Sequence, residues 1–148
     1  MTSAPLPPIP SAGPLAGLDP GRSKCGLVRT DSACRQVVEA HVLSPDACLE
    51  RLLQWRRQGL IIALVLGDGT GSQEWRSRLA DRLPLHLIDE RHTTLEARRR
   101  YWRLEPARGW RRLLPEGLRQ PPRDWDDIVA QVLLERWVGY PLKRPPAR

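Results

Sequence analysis

Five acidic residues at predicted strand ends or at the predicted start of the final helix are candidates for chemistry. They are Asp19 after the first strand, Asp89 and Glu90 after the last strand, and Asp126 and Asp127 at the start of the final helix. Ligands of α/β sheets gather at strand ends, so acids this far apart in sequence are expected to converge there. Carboxylates without His or Cys partners are hard oxygen ligands suited to Mg²⁺ or Mn²⁺. Two such ions can hold a scissile phosphate, one activating water and the other stabilising the leaving oxygen.

Each acid alone also has an ordinary structural interpretation. Asp19 begins Asp-Pro-Gly, a common turn sequence. Asp126 is suited to a helix N-cap, where the helix dipole favours an acid. Glu90 and Arg91 could form a surface ion pair. The metal-site hypothesis therefore depends on the joint placement of these acids at strand ends.

Positive charge is concentrated in one part of the chain. The 148 residues include 24 Lys+Arg and 17 Asp+Glu, a formal net charge of +7. Residues 91–123 hold ten arginines and three acids, which accounts for the whole excess. Arginine binds phosphate bidentately and stacks on bases, so this segment predicts a nucleic-acid partner. Trp102 and Trp110 in the same segment could stack on unpaired bases, although Trp102 lies on a predicted helix and suits a core position equally well.

Other classes of protein are disfavoured by composition. The longest apolar run, residues 60–66, is far shorter than the roughly 20 residues of a membrane-spanning helix. The first residues lack the basic and apolar regions of a secretory signal. Three cysteines with no CxxC pair fit reduced thiols better than a disulfide framework or a zinc site. We therefore expect a cytoplasmic protein that does not contact a membrane.

The pattern of apolar residues predicts three strands, a helix, a strand, a helix, a strand and two helices. The strands are predicted near residues 15–18, 24–31, 35–43, 60–66 and 85–88, and the helices begin near residues 44, 72, 93 and 126. Short links between the first three strands indicate an antiparallel meander, whereas the later strands alternate with helices and indicate parallel additions. The expected fold class is α/β, a mixed five-stranded sheet flanked by helices. Thr93 or Thr94 is expected to cap the third helix, and Thr93 with Glu96 matches the spacing of a capping box.

The domain is expected to span residues 15–139. The Pro-rich residues 1–14 predict a disordered tail, and residues 140–148 predict a flexible C-terminal tail. Residues 105–125 are basic, contain Pro and Gly, and predict a loop with at most short helical pieces. We expect this 105–125 segment to contribute to substrate selection.

Three blocks of the sequence resemble the YqgF/RuvX family of ribosomal-RNA-processing and Holliday-junction-resolvase-like nucleases. The blocks are GLDPGRSKCGLVRTD at 17–31, LIDERHTTLEARR at 87–99 and DWDDIVAQVLLERWV at 124–138. The resemblance covers about residues 15–139. It implies an RNase H-like fold and a metal-dependent endonuclease that hydrolyses phosphodiester bonds, with ribosomal RNA precursor (pre-16S rRNA) as the foremost substrate and ribosomal particles as partners.

The resemblance also implies roles for individual residues. Asp19, Glu90 and Asp126 would be the catalytic acids and the ligands of Mg²⁺ or Mn²⁺, with Asp89 and Asp127 as second choices for the metal. Asp19 would bridge both ions. The basic residues expected on nucleic acid are Arg22 and Lys24 near the phosphate, and Arg98, Arg99, Arg103, Arg111 and Arg112 on flanking strands.

The sequence departs from the family pattern in ways that bear on the substrate. Residues 64–75 (LVLGDGTGSQEW) replace the family's usual G-L-P loop, and the insertion before the last helix is longer than expected. Alternatives therefore stay open. One is a Holliday-junction resolvase acting on branched DNA as a symmetric dimer. Another is a nucleic-acid-binding module that has lost catalysis. An actin-like ATP-binding domain is disfavoured, because that cleft needs two domains.

Overall fold

The computed structural model describes residues 13–69, 71–121 and 123–145, and residues 1–12 of the predicted N-terminal tail lie outside them. Its sheet consists of β1 (Leu15–Asp19), β2 (Cys25–Thr30), β3 (Val37–Leu43), β4 (Ala63–Gly67) and β5 (Leu85–Ile88). The strand order is β3-β2-β1-β4-β5. The first three strands are antiparallel, and β4 and β5 are parallel to β1. The predicted mixed sheet is therefore confirmed.

Four α-helices flank the sheet, namely α1 (Pro45–Arg57), α2 (Ser72–Leu79), α3 (Thr93–Leu104) and α4 (Asp126–Val138). On one face, Leu52 and Trp55 of α1 and Trp75 of α2 pack in a core with Leu18 and Leu66. Helix α4 covers the other face and contacts β1 and β2, while α3 packs against α4. This arrangement buries β4 on both faces, which explains its uninterrupted apolar sequence.

Helix starts follow the sequence in one case and differ in another. Ser44 caps α1 as expected, because its hydroxyl accepts a hydrogen bond from the Ala47 amide at 3.2 Å. Thr93 does not cap α3. It is the first residue of that helix, and its hydroxyl donates to the carbonyl of Glu90. His92 precedes it with a positive φ of 64°, so a tight turn after β5 replaces the predicted capping box.

Residues 140–145, which the sequence pattern assigns to a flexible tail, pack against the sheet instead. Leu142 is fully buried, and the Tyr140 hydroxyl donates to the carbonyl of Cys34 at 2.6 Å. The Val37 amide donates to the carbonyl of Lys143 at 2.7 Å, which adds a short parallel bridge beside β3. Apolar side chains two residues apart, at 140 and 142, provide the contact that orders this segment.

The 105–125 segment contains two short 3-10 helices, Gly109–Leu113 and Glu116–Leu118, as the sequence pattern predicts. Across the described ranges, no helix has both the length and the apolar character needed to cross a membrane.

Candidate active site

Asp19 is the last residue of β1, and its register partner on β2 is Gly26. Burial raises the pKa of the Asp19 carboxyl to about 7, and the negative charges of Glu90 and Asp126 contribute in the same direction. The carboxylate of Asp19 therefore lies in an environment with excess negative charge. Such an environment favours a bound cation or a bound proton.

Asp126 is brought beside Asp19 by the close packing of α4 on two glycines. A Cβ atom on Gly26 would lie 1.8 Å from the carbonyl oxygen of Asp126, and one on Gly17 would lie 2.8 Å from that of Ala130. Only residues without a side chain allow this approach. The glycine of the Lys24-Cys25-Gly26 sequence is thus a determinant of where Asp126 sits.

Glu90 follows β5 and lies against the loop after β4. Its amide donates to Oδ1 of Asp68 at 3.2 Å, and a Cβ on Gly69 would lie 1.6 Å from Oε1 of Glu90. Burial raises the pKa of the Glu90 carboxyl, and the charge of Asp68 adds to the effect. Gly67 and Gly69, in a region where the family pattern has a different sequence, therefore leave the space that this carboxylate occupies.

The three acids line a single cavity of about 350 Å³ at one end of the sheet. The other residues that line it are Lys24, Thr93, Thr94, Asp124, Trp125 and Val129. The structure thus brings together acids contributed by β1, the end of β5 and the start of α4. Asp124 was not singled out from the sequence, although it is an acid two positions before Asp126 in the third block, and Thr94 was considered only as a helix cap.

Lys24 is the basic residue of the cavity. Its Nζ lies 2.7 Å from Oδ1 of Asp124 and 3.9 Å from Oδ2 of Asp126. The hydrogen bond to Asp124 raises the pKa of Lys24. Lys24 is therefore a charged group at the mouth of the cavity, where it is half exposed and can contact a bound anion.

The donor set fits a hard divalent cation in type and in charge. Three carboxylates face one cavity, and no His or Cys side chain lines it among the residues described. In the part of the chain that the structure describes, no three His, Cys, Asp or Glu side chains lie close enough together to coordinate one metal ion. Glu90 lines this cavity, and its carboxylate packs against Gly67 at the end of β4 and Gly69 in the loop after it.

Asp89 and Asp127, the second choices for the metal, do not line the cavity. Asp89 is exposed and accepts a hydrogen bond from Nε of Arg91 at 3.0 Å. Asp127 is 3% exposed and binds Nη1 of Arg123 at 2.9 Å and Nη1 of Arg144 at 2.7 Å. These two arginines lower the pKa of Asp127 against the opposing effect of burial. Its carboxylate stabilises the fold around the start of α4.

The basic residues expected on nucleic acid fall into two groups. Arg98 donates to the carbonyl of Arg119 at 2.8 Å, and Arg111 donates to that of Gln120 at 3.3 Å, so both contribute to the local structure. Arg22, Arg99, Arg103 and Arg112 are exposed, and within the described ranges their side chains make no hydrogen bond or ion pair. Arg22 borders a separate groove of about 650 Å³ beside the β1–β2 turn.

The two tryptophans of the basic segment also differ. Trp102 is 7% exposed and packs between α3 and α4 with Tyr101 and Ile128. Trp110 is 62% exposed. The core interpretation is therefore correct for Trp102, and base stacking remains a prediction for Trp110.

Several known proteins are similar to this chain, although no family model matches it. A protein of Xanthomonas euvesicatoria pv. vesicatoria (strain 85-10) named "Putative pre-16S rRNA nuclease" is 30% identical over 145 positions, covering 87% of this chain and 89% of that protein. A protein of the same name from Xanthomonas campestris pv. campestris (strain 8004) is 34% identical over 118 positions, covering 71% and 70%. RuvC of Thermus thermophilus, solved in complex with a Holliday junction substrate, has a TM-score of 0.43 and 14% identity, covering 86% of this chain and 94% of that chain.

The five-stranded mixed sheet, with helices on both faces and acids from β1, the end of β5 and the start of α4 at one cavity, makes this an α/β domain of the class that the three sequence blocks imply. Within that class, the chain belongs to the YqgF/RuvX family, to which the relatives named "Putative pre-16S rRNA nuclease" belong.

Proposed function

We propose that this protein is a metal-dependent endonuclease that hydrolyses phosphodiester bonds in structured RNA, with pre-16S rRNA as its substrate. The observation that supports the proposal most is the convergence of Asp19, Glu90 and Asp126 on one cavity. The names of the curated relatives support the choice of RNA. Ribosomal particles in the cytoplasm are the expected setting for such a substrate.

The three acids would hold Mg²⁺ or Mn²⁺. Bound divalent ions supply activation of water and stabilisation of the leaving oxygen in phosphodiester hydrolysis, and two ions together can do both. The charges of Glu90 and Asp126 both act on Asp19, so its carboxylate would share bound ions with both acids. The excess negative charge also explains why a cation is needed, because three carboxylates alone would repel phosphate.

Lys24 would be the residue that contacts the phosphate. It is tethered to Asp124 at 2.7 Å and stays half exposed at the cavity. An ammonium group with three donors can keep a bond to Asp124 while it contacts a phosphate oxygen. Lys24 would therefore position the backbone of the substrate relative to the acids.

Exposed arginines extend the basic surface away from the cavity. Helix α3 begins at Thr93, which lines the cavity, and carries Arg99 and Arg103 four residues apart on its surface. Residues four apart lie on the same side of a helix. Arg99 and Arg103 would hold the strand that flanks the scissile bond, and Arg22 would contact the backbone near the β1–β2 turn.

The test is cleavage of two labelled substrates, an RNA that spans a precursor end of 16S rRNA and a four-way DNA junction, with Mg²⁺ or Mn²⁺. We expect the RNA to be cut. Asp19→Asn should lower the rate by at least about a hundredfold, because changes to residues that only support metal ligands already cost up to that much. Asp89→Asn is the matched control, since Asp89 is an exposed acid outside the cavity.

Equal cleavage by wild type and Asp19→Asn would refute the catalytic assignment. Cleavage of the junction alone would refute the RNA substrate and favour a resolvase. If wild type and Asp19→Asn bind the RNA equally and neither cleaves it, the nuclease proposal is refuted and a nucleic-acid-binding module is favoured.

A further inference from the structure

Large apolar side chains are exposed along the two 3-10 helices of the 105–125 segment. Trp110 is 62% exposed, Leu113 86% and Leu118 67%. Single exposed apolar residues are common on protein surfaces, but three within nine residues form a local apolar surface. Trp110 is the aromatic residue of this set. The aromatic side chains of the adjacent helix, Tyr101 and Trp102, are buried and cannot contact a ligand.

The segment that carries Trp110 is held in place by arginine side chains. Nε of Arg119 donates to the carbonyls of Arg111 at 3.1 Å and Leu114 at 3.0 Å. Nε of Arg111 donates back to the carbonyl of Gln120 at 3.3 Å. The guanidinium of Arg119 also lies 5.6 Å from the ring of Trp102, which anchors the segment to α3. The exposed indole is therefore presented on an ordered support, and binding to it costs less conformational entropy.

The Trp110 region is connected to the active site by a short length of chain. Arg111 donates a hydrogen bond to the carbonyl of Gln120, and Gln120 is six residues before Asp126. An extended chain of six residues spans at most about 20 Å. The backbone at Gln120 therefore lies no more than about 20 Å from Asp126, and the side chain of Arg111 spans the remaining distance to the backbone beside Trp110.

The charge around Trp110 suits a phosphate backbone. The guanidinium of Arg111 lies 4.8 Å from the centre of the Trp110 ring. Arg108 and Arg112 are exposed and make no side-chain hydrogen bond or ion pair with the described chain. An aromatic face beside free arginines is the combination that binds single-stranded nucleic acid, since bases stack on the ring and arginines contact the phosphates.

We propose that Trp110 is a stacking site for an unpaired base of the strand that enters the active site, with Arg108 and Arg112 on its phosphates. This inference rests on the proposed function, because it assigns a flanking contact to the same substrate. It also defines the substrate class more narrowly, as a cleavage site next to unpaired nucleotides. A duplex keeps its bases stacked and offers no free face to Trp110.

The test measures binding without cleavage. Fluorescence anisotropy with EDTA present compares a labelled single-stranded RNA, a DNA of the same sequence and the corresponding duplex. Trp110→Ala should weaken single-strand binding by about fivefold to 150-fold, the range expected for loss of one stacked base, and leave duplex binding unchanged. Trp110→Phe should retain most of the affinity, because it keeps an aromatic face.

Leu113→Ala is the matched control, since Leu113 is more exposed than Trp110 and is not aromatic. It should bind like wild type. The single strand that binds more tightly, RNA or DNA, identifies the type of nucleic acid. A lower affinity of Trp110→Ala for that strand supports the stacking site. The proposal is overturned if Trp110→Ala binds like wild type. It is also overturned if Leu113→Ala weakens binding equally, which would indicate an apolar surface for a protein partner.

Because no divalent ion is present, the outcome is independent of catalysis. A protein that shows Trp110-dependent binding but never cleaves RNA would refute the proposed nuclease and leave the stacking site intact. If the wild-type protein cleaves RNA but Trp110→Ala binds single strands like wild type, the stacking site is refuted and the proposed nuclease is retained.

Discussion

Asp126 and Asp127 are adjacent in the chain, yet their carboxylates occupy opposite environments. Asp126 lines the active-site cavity with Asp19 and Glu90. Asp127 is buried between Arg123 and Arg144, at 2.9 Å and 2.7 Å. The helical turn at the start of α4 thus directs one acid to the cavity and the next into the interior. The sequence alone offers both as metal ligands.

These environments predict a separation of stability from activity. Asp127→Asn should lower the free energy of unfolding by about 3 kcal/mol, because removing one member of a buried ion pair leaves uncompensated charge. Asp126→Asn should change the free energy of unfolding by less than about 1 kcal/mol but abolish cleavage. Urea unfolding and cleavage assays on both variants measure the two effects. Equal destabilisation by the two substitutions would contradict the assignment.

Gly26 is predicted to control the position of Asp126. A Cβ at this position would lie 1.8 Å from the carbonyl oxygen of Asp126, so Gly26→Ala must push the start of α4 away from β2. Overpacking of this kind typically costs about 1–3 kcal/mol. We expect a lower melting temperature and a loss of cleavage. Gly117→Ala is the control, because nothing lies within 4 Å of the added atom there, and it should behave like wild type.

In the metal-free protein, the contribution of Asp19 to the free energy of unfolding should fall as pH rises. The pKa of Asp19 is about 7 in the folded protein, against an ordinary value of 3.8. Between these values Asp19 binds more protons in the folded state than in the unfolded state, so its contribution to the free energy of unfolding falls with increasing pH. Asp19→Asn should flatten this dependence between about pH 4 and pH 7 in EDTA. Urea unfolding across this range tests it, with Asp89→Asn expected to retain the wild-type slope. If Asp19→Asn retains the wild-type slope of unfolding free energy against pH, the pKa of Asp19 is not raised in the folded protein.

The C-terminal segment is predicted to be part of the folded domain. Leu142 is fully buried and packs with Leu15, Val37 and Leu134. Leu142→Ala should cost about 2–5 kcal/mol, the range for a large-to-small change in a core. Lys143→Ala, whose side chain is exposed, should cost little. Thermal unfolding of both variants measures this cost. An unchanged melting temperature in Leu142→Ala would indicate that residues 140–145 do not pack against the sheet.

The fold was predictable because its main elements have strong local signals. The apolar run at β4 indicates a strand buried on both faces, and Ser44-Pro45 marks the start of α1. The acids of the cavity were predictable because they lie at the ends of β1 and β5 and at the start of α4. The remaining features depend on contacts between distant parts of the chain, which a single sequence does not encode locally.

Three differences illustrate this dependence. Lys24 binds Asp124, one hundred residues away, so its partner could not be inferred from neighbouring residues. Asp127 and Arg144 pair across the gap between α4 and the C-terminal segment, which made both the acid and the segment difficult to assign. Thr93 fits a capping box by spacing, but the turn after β5 places it inside the helix.

Catalysis by this protein would require that Asp19, Glu90 and Asp126 together form a divalent-cation site. Isothermal titration calorimetry with Mn²⁺, in the absence of nucleic acid, tests it directly. Wild type and Asp89→Asn should bind Mn²⁺ with similar affinity, whereas Asp19→Asn, Glu90→Gln and Asp126→Asn should each lose at least about tenfold, because each removes a charged ligand. Binding of Mn²⁺ by all three variants with wild-type affinity would contradict the claim.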